Sequence, residues 1–391
     1  MIPYGRHHLD EDDINAVVAC LRSGALTQGP HVEDFEAAIR DYVGARYAVA
    51  VASGTAGLHL AAMAAGVKPG AGLITSPITF VASSNAAVYT GGTPLLADVE
   101  RETVNMCPAS LETVLRAHPE TRAVVPVHFG GLPCDTRAIG MLAGRAGAVV
   151  IEDAAHALGA TYPTGERVGS NVHSLMTVFS FHPVKAIAAG EGGMITTNDE
   201  PTYRRLLRLR SHGINKLDDP LQIPEQAHTD GVRNPWYYEM QELGYHYRIT
   251  DIQCALGLSQ FRKLDTFLAR RRALVHAYDQ AFAAFTHVRP AQPTSTRDLS
   301  GHHLYVVRID FAAAGVTRAH LMQHLRTRQI ATQVHYIPVA SHPFYRSLGM
   351  RPEDYPNAQR YYEEALSIPL YYDLTDDEQA FVIASIKELI A

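Results

Sequence analysis

Residues 148–156 read Ala-Val-Val-Ile-Glu-Asp-Ala-Ala-His, and this stretch decides the fold. Four apolar residues, three of them β-branched, run straight into two carboxylates. That pattern predicts a strand buried on both faces that stops at a polar end. Working outward, similar runs recur at 48–52, 124–127 and 175–179, with helical stretches such as 57–65 and 111–117 between them. Val- and Ile-rich strands separated by helices predict a mostly parallel sheet covered on both faces, an α/β fold. Open sheets of this kind bind ligands beyond the carboxyl ends of their strands, where Glu152, Asp153 and His156 stand. The plainer alternative is that the two carboxylates form a solvated strand end or a helix cap.

Toward the N-terminus, Ile14, Val17, Val18 and Leu21 share a helical face, and Gly24 ends that segment. Toward the C-terminus, residues 213–245 carry DDP, NPW and several tyrosines but few regular signals, and read as a long loop. A long helix follows from Ile252, with Leu256, Leu264 and Leu268 in register and Arg270-Arg271-Arg272 beyond them. The last hundred residues read as a smaller α+β domain. Its closing helix opens on the capping box Thr375-Asp-Asp-Glu378 and continues through Val382, Ile386 and Leu389. The chain divides on this reading into 1–245, an N-terminal segment with the large domain, and 246–391, a linking helix with the small one.

A net charge of −6 gives no basic footprint for nucleic acid or an anionic membrane. The opening residues show no signal pattern and no stretch is long and apolar enough to span a bilayer. Cys20, Cys107, Cys134 and Cys254 are scattered without pairing, so a reduced, cytoplasmic protein is expected. The 20 histidines stand singly or as neighbours such as His7-His8, a poor ligand spacing, and no metal is expected.

Two further stretches point to chemistry. In Val49-Ala-Val-Ala-Ser53-Gly54-Thr55-Ala56 an apolar strand meets a small-residue turn and a helix, a junction whose free amides suit a phosphate, though it also serves as a plain connection. In Thr177-Val-Phe-Ser180-Phe-His182-Pro183-Val-Lys185, followed by Gly190-Glu-Gly-Gly193, a strand delivers a lysine into an aromatic, Pro-bounded turn. Desolvation there lowers an amine's pKa and frees it as a nucleophile; a lysine lying over Phe181 with its ammonium in water is the bland alternative.

SGTAGLHLA, TFVAS, IEDAAHALGA, FSFHPVK with GEGG, and LGYHYRITDIQCALGLSQ follow one another in the order seen in the DegT/DnrJ/EryC1/StrS sugar aminotransferases, and the chain resembles that family over nearly its whole length. The resemblance implies a type I aminotransferase fold, a pyridoxal 5'-phosphate cofactor, L-glutamate as amino donor and a homodimer with shared active sites. By position, Lys185 is similar to the Schiff-base lysine and general acid/base, Asp153 to the residue at the pyridine nitrogen, and Phe80 to the aromatic stacked on the ring. Thr55, Ala56 and Ser180 match the phosphate cradle, and His156 the residue beside the ring hydroxyl.

The IPYGR opening, Leu26-Thr27-Gln28-Gly29, Gln333-Val334-His335-Tyr336-Ile-Pro338 and the tail 361–370 resemble the branch that makes UDP-4-amino-4,6-dideoxy-N-acetyl-β-L-altrosamine for pseudaminic acid. That resemblance places Tyr4, residues 26–29 and residues 333–336 around a UDP-linked keto-sugar; a Gly-Pro turn and a core strand are their plainer readings. An aminotransferase for another nucleotide-linked keto-sugar, and a non-catalytic sugar sensor on the same fold, remain alternatives. Relatives that act as dehydratases carry histidine in place of the lysine. Two positions depart from the family: His246 stands where an asparagine reaches across the dimer, and Ala188-Ala189 where two threonines are common.

Overall fold

The computed structural model describes residues 1–215 and 219–390. Its main sheet has seven strands: β1 (Tyr47–Val51), β2 (Gly72–Thr75), β3 (Thr93–Leu96), β4 (Thr121–Val125), β5 (Val149–Asp153), β6 (Met176–Ser180) and β7 (Gly193–Thr197), in the spatial order β1-β7-β6-β5-β4-β2-β3. Only β7 is reversed, pairing antiparallel with β1 and β6 on its two sides. The sheet is therefore mostly parallel and mixed by one strand. β7 is invisible in the sequence pattern because its apolar residues follow directly on the glycines of Gly190–Gly193 and read as part of that turn.

Both faces of the sheet are covered, which explains the near-continuous apolar strands. Val49, Val51, Ile151, Val178 and Ile195 pack with Leu58, Leu60, Leu206 and Leu209, and Ala50, Phe179 and Met194 with Phe35, Ile39 and Phe181 on the other face. Each buried Val, Leu, Ile, Phe or Met among them stabilises the fold by about 1.5–3 kcal/mol. The second sheet is antiparallel. After a two-stranded hairpin, β8 (His228–Thr229) and β9 (Val232–Arg233), the chain builds β10 (Val288–Pro290), β11 (Tyr305–Ile309) and β12 (Ala365–Ile368). Leu274, Tyr278, Val307, Leu321, Val382 and Ile386 form its core.

Three sequence expectations change. The first helix, Glu11–Ser23, ends at Gly24 with φ 80°, but it docks through Asp13 and Cys20 while Ile14 and Leu21 stay 51% and 53% exposed. Asp13 accepts from Ser259 Oγ (2.6 Å) and Gln260 Nε2 (2.7 Å) and pairs with Lys263 (2.9 Å), so polar contacts, not the apolar stripe, turn the helix inward. The long helix from 252 is two helices, Asp251–Phe261 and Leu264–Phe282, parted at Arg262-Lys263 where Lys263 is drawn to Asp10 and Asp13. Arg271 lies inside the second of them and is buried. The stretch 213–245 holds the β8–β9 hairpin and a short 3-10 turn, Pro224–Ala227; Asp218 of its DDP lies outside the described residues. The capping box stands as read: Thr375 N donates to Glu378 Oε2 (3.0 Å) and Glu378 N to Thr375 Oγ1 (3.1 Å). Leu264, Phe267 and Leu268 pack with the main sheet, whereas Leu274 and Tyr278 pack with the second. We propose that helix as the element shared by the two units.

Neither carboxylate at the end of β5 is solvated. Strand alternation sends Glu152 and Asp153 to opposite faces. Glu152 is fully buried and accepts from His128 Nε2 (2.7 Å), Tyr162 Oη (2.5 Å), Thr177 Oγ1 (3.3 Å) and Ser174 Oγ. Cys134 N donates to His128 Nδ1 (3.0 Å), so the imidazole carries its hydrogen on Nε2. Burial pushes the Glu152 carboxyl up, but His128, Ser174 and Tyr162 more than offset this and hold it below the usual range. Glu152→Ala leaves several buried donors without an acceptor and is expected to cost about 3–5 kcal/mol, read from urea melts.

Candidate active site

Parallel strands bring their carboxyl ends to one side of the sheet, and there β1, β5 and β6 open onto a cavity of about 670 Å³. At the end of β1, Ser53 is the extended N-cap of the helix Gly54–Ala64, its Oγ accepting from Ala56 N (3.1 Å). The turn is packed backbone against backbone. A Cβ on Gly54 would lie 2.8 Å from that of Ser180, and one on Gly193 would lie 2.6 Å from the Ser53 carbonyl. Ser53, Thr55 and Ser180 line the cavity here, beside the helix start and the positive end of its dipole. Ala56 is buried one step behind the wall.

At the end of β5, Asp153 is held from both sides: Ser83 Oγ donates to its Oδ2 (2.6 Å) and Ala155 N to its Oδ1 (3.1 Å). At the end of β6, the turn that carries Lys185 is closed by Ala189 N to Phe181 O (2.9 Å), Phe181 N to Gly192 O (2.9 Å) and Lys185 N to His182 O (2.8 Å). Phe181 and Ile187 are buried beside it. The Lys185 side chain is half-buried. Desolvation lowers its amine from the ordinary 10.5 to about 8, against the opposing pull of the Asp153 carboxylate. At pH 7 about a tenth of such amines are neutral, against roughly one in 3,000 for a surface lysine. Capture of an aldehyde by the cofactor-free protein is therefore expected to rise with pH and level off above an inflection near 8, as stopped-flow absorbance reads it. An inflection near 10 would mark an ordinary surface amine.

The opposite wall comes from both ends of the chain. Tyr4 and residues 333–337 line it, with Tyr336 Oη 3.0 Å from His156 Nε2 and His335 Nδ1 2.8 Å from Ser367 Oγ. The His156 ring packs on that of His303 at 4.3 Å. Burial, then the charges of Lys185, His335 and His128, keep His156 well below the ordinary imidazole range. Phe80 stands at the mouth, 60% exposed, its ring 6.4 Å from that of Tyr336.

Lys185, Asp153, His156, Ser180, Thr55, Phe80, Tyr4 and residues 333–336 thus meet in one place. Residues 26–29 and His246 do not reach it within one chain. Leu26 is exposed, Thr27 bridges Thr250, and Gln28 and Gly29 border a separate cavity of about 640 Å³ with Arg40, Arg46 and Arg210. Asp251 fixes that turn by accepting from Gly29 N (2.7 Å) and His31 N (3.0 Å). His246 is exposed and faces His212 at 5.4 Å. Sequence reasoning missed Ser83 and His303. Ser83 lies four residues past Thr79 in TFVAS, and only contact with a strand 70 residues away reveals it; His303 reads as half of a His-His pair.

Pyridoxal phosphate asks for a nucleophilic amine for its aldehyde, a carboxylate for its ring nitrogen, and amides and hydroxyls for its phosphate. Lys185, the fixed carboxylate of Asp153 and the glycine-built cradle at Ser53–Thr55 answer each in turn. Fold and site together define the pyridoxal-phosphate-dependent aminotransferases. Within that class, the chain belongs to the DegT/DnrJ/EryC1/StrS aminotransferase family, whose model matches residues 7–387. It is 39% identical to the spore coat polysaccharide biosynthesis protein SpsC of Bacillus subtilis, over 100% of this chain and 97% of that one. Its structure is similar to that of Helicobacter pylori PseC, an aminotransferase involved in the biosynthesis of pseudoaminic acid (TM-score 0.88, 27% identity, 100% and 99% of the two chains). It is also similar to Spr1654 of Streptococcus pneumoniae, solved in its PLP form (TM-score 0.87, 29% identity, 99% and 98%). The protein is a sugar aminotransferase that works with pyridoxal phosphate.

Proposed function

We propose that the chain moves an amino group from L-glutamate to C4 of a UDP-linked 4-keto-6-deoxy-N-acetylhexosamine, giving UDP-4-amino-4,6-dideoxy-N-acetyl-β-L-altrosamine, as a cytoplasmic homodimer with shared active sites. The observation that carries this reading is the wall formed by Tyr4 and Gln333–Tyr336, which faces Lys185 and Asp153 across the cavity. Those are the residues whose sequence resembles the pseudaminic acid branch, and likeness to PseC along both chains supports it.

Bound pyridoxal phosphate supplies an electron-withdrawing ring that stabilises negative charge at the reacting carbon. The chain supplies the rest. Asp153, pinned by Ser83 and Ala155, holds a proton on the ring nitrogen. Lys185 would take the proton from the α-carbon of the amino donor and return it to the carbon on the far side of the bound nitrogen, then run the same transfer in reverse at C4 of the sugar. Thr55, Ser180 and the first amides of the helix from Gly54 would hold the phosphate, and Phe80 and His156 would lie beside the ring. The exposed stripe of Ile14, Leu21 and Leu26 gives a second copy an apolar face to cover. On this reading residues 26–29 and His246 serve the cavity of the second copy rather than their own.

The test is a panel of purified UDP- and dTDP-linked keto-sugars with product stereochemistry read by NMR. Greater identity to SpsC than to PseC favours a second reading, amination of another nucleotide-linked keto-sugar, and turnover of a dTDP-linked or oppositely configured sugar alone would establish it. A protein that takes up no visible absorbance fixable by borohydride would be a sensor rather than an enzyme.

A further inference from the structure

His303 belongs to the second unit but is buried against the first, 5% exposed. Its backbone is held on several sides: His303 N donates to Gly130 O (2.9 Å), Gly301 N to Gly131 O (3.0 Å), and Arg271 Nη1 to the carbonyls of His302 and His303 (both 3.4 Å). A Cβ on Gly131 would lie 2.8 Å from His302 N, so that clasp needs glycine, there at φ 106°. The side chain has little freedom, and its ring both packs on His156 and lines the cavity.

The hydrogens of the two imidazoles follow from where their nitrogens lie. Nδ1 of His156 and Nδ1 of His303 are each sealed from solvent with no hydrogen-bond partner among the described residues. A neutral imidazole has one N–H and one lone pair. A sealed N–H without an acceptor is the costlier orphan, so both rings carry hydrogen on Nε2. Burial and the neighbouring charges keep both rings neutral. His156 Nε2–H then donates to Tyr336 Oη, which leaves the phenolic hydrogen free to donate elsewhere. His156 has no nitrogen left for a ligand. Tyr336 and His303 both line the cavity next to His156, and with Nδ1 sealed the ring nitrogen that His303 can offer a ligand is Nε2.

We propose that Tyr336 Oη–H and His303 Nε2–H form a pair of neutral donors for one anionic oxygen bound in this cavity, either the ring oxygen of the cofactor or a carboxylate of the amino donor, with His156 as the spacer that sets them. This rests on the proposed function of the same site. Neutral donors suit the position: they stabilise the oxygen without placing a further desolvated cation where Lys185 would repel it.

The experiment uses full-length protein as wild type, Tyr336→Phe, His303→Phe and His303→Gln, with thermal midpoints confirming folding. Pyridoxal phosphate affinity of the cofactor-free protein is measured by equilibrium dialysis, and half-saturation by the amino donor in single-turnover absorbance. A ring oxygen predicts roughly tenfold weaker cofactor binding in Tyr336→Phe and His303→Phe. A carboxylate predicts cofactor binding within twofold and amino-donor half-saturation raised roughly tenfold in both. In either case His303→Gln, which keeps an N–H donor, recovers most of the loss. Both quantities within twofold of wild type, the two variants acting on different ligands, or His303→Gln as damaging as His303→Phe would each overturn the proposal. Borohydride fixation at Lys185 is followed in the same samples. Wild type that fixes no cofactor overturns the proposed function together with this inference, whereas normal fixation with indifferent variants overturns this inference alone.

Discussion

Replacing Lys185 by alanine is expected to lower turnover by at least about 10⁴-fold while the circular dichroism spectrum and thermal midpoint stay at wild-type values. Proton relay by a positioned group is worth about 10²–10⁴-fold, and the variant also loses the covalent anchor for the cofactor. The fold should not notice. Among the described residues the amine has no hydrogen-bond partner, and it sits where its own charge is disfavoured. The turn around it is closed by backbone bonds that alanine keeps. Steady-state assays together with borohydride fixation and peptide mapping check both halves. Undiminished turnover would end the assignment of the lysine.

Asp153→Asn is the second large effect, an expected loss of about 10²–10³-fold in the rate of the amino-donor half-reaction. The amide fits the same space, its oxygen accepting from Ala155 N while its NH2 donates to the Ser83 hydroxyl, so what disappears is the charge opposite the ring nitrogen. A second signature follows from the sign of the coupling. The Asp153 carboxylate raises the Lys185 pKa against a larger lowering by desolvation. Removing it should move the aldehyde-capture inflection of the cofactor-free protein below 8. An inflection that stays put or rises would mean the carboxylate does not act on the amine. Single-turnover absorbance at several pH values reads both quantities in one series.

The two carboxylates of residues 152 and 153 show how far the sequence carries. The apolar run before them made a strand legible, and the alternation rule sends the pair to opposite faces once that strand exists. Which face holds chemistry depends on Ser83, Tyr162 and Ser174, contacts made across other strands that no local pattern encodes. Lys185 was legible because Phe179, Phe181, Val184 and Ile187 surround it within the same short stretch. The apolar stripe of the first helix misled for a definite reason: periodicity reports which residues seek cover, and in a single chain that cover is absent while Asp13 finds partners on Asp251–Phe261. Residues 26–29 and His246 lie away from the Lys185 cavity in the single chain, and only the proposed second copy would give them a site.

The reversed strand has a consequence for how the chain is made. β1 lies at the rim of the main sheet, and among the described residues its one strand partner is β7, roughly 140 residues further on. At about 5–20 residues per second of synthesis, β1 emerges several seconds before anything exists to pair with it. During that interval Tyr47–Val51 and the helix behind it are a bare, sticky fragment on the ribosome. Nascent chains paused before residue 193 should bind holdase chaperones and be cut readily by protease near residue 50, and both liabilities should vanish once the glycine turn and the strand after it have cleared the exit tunnel.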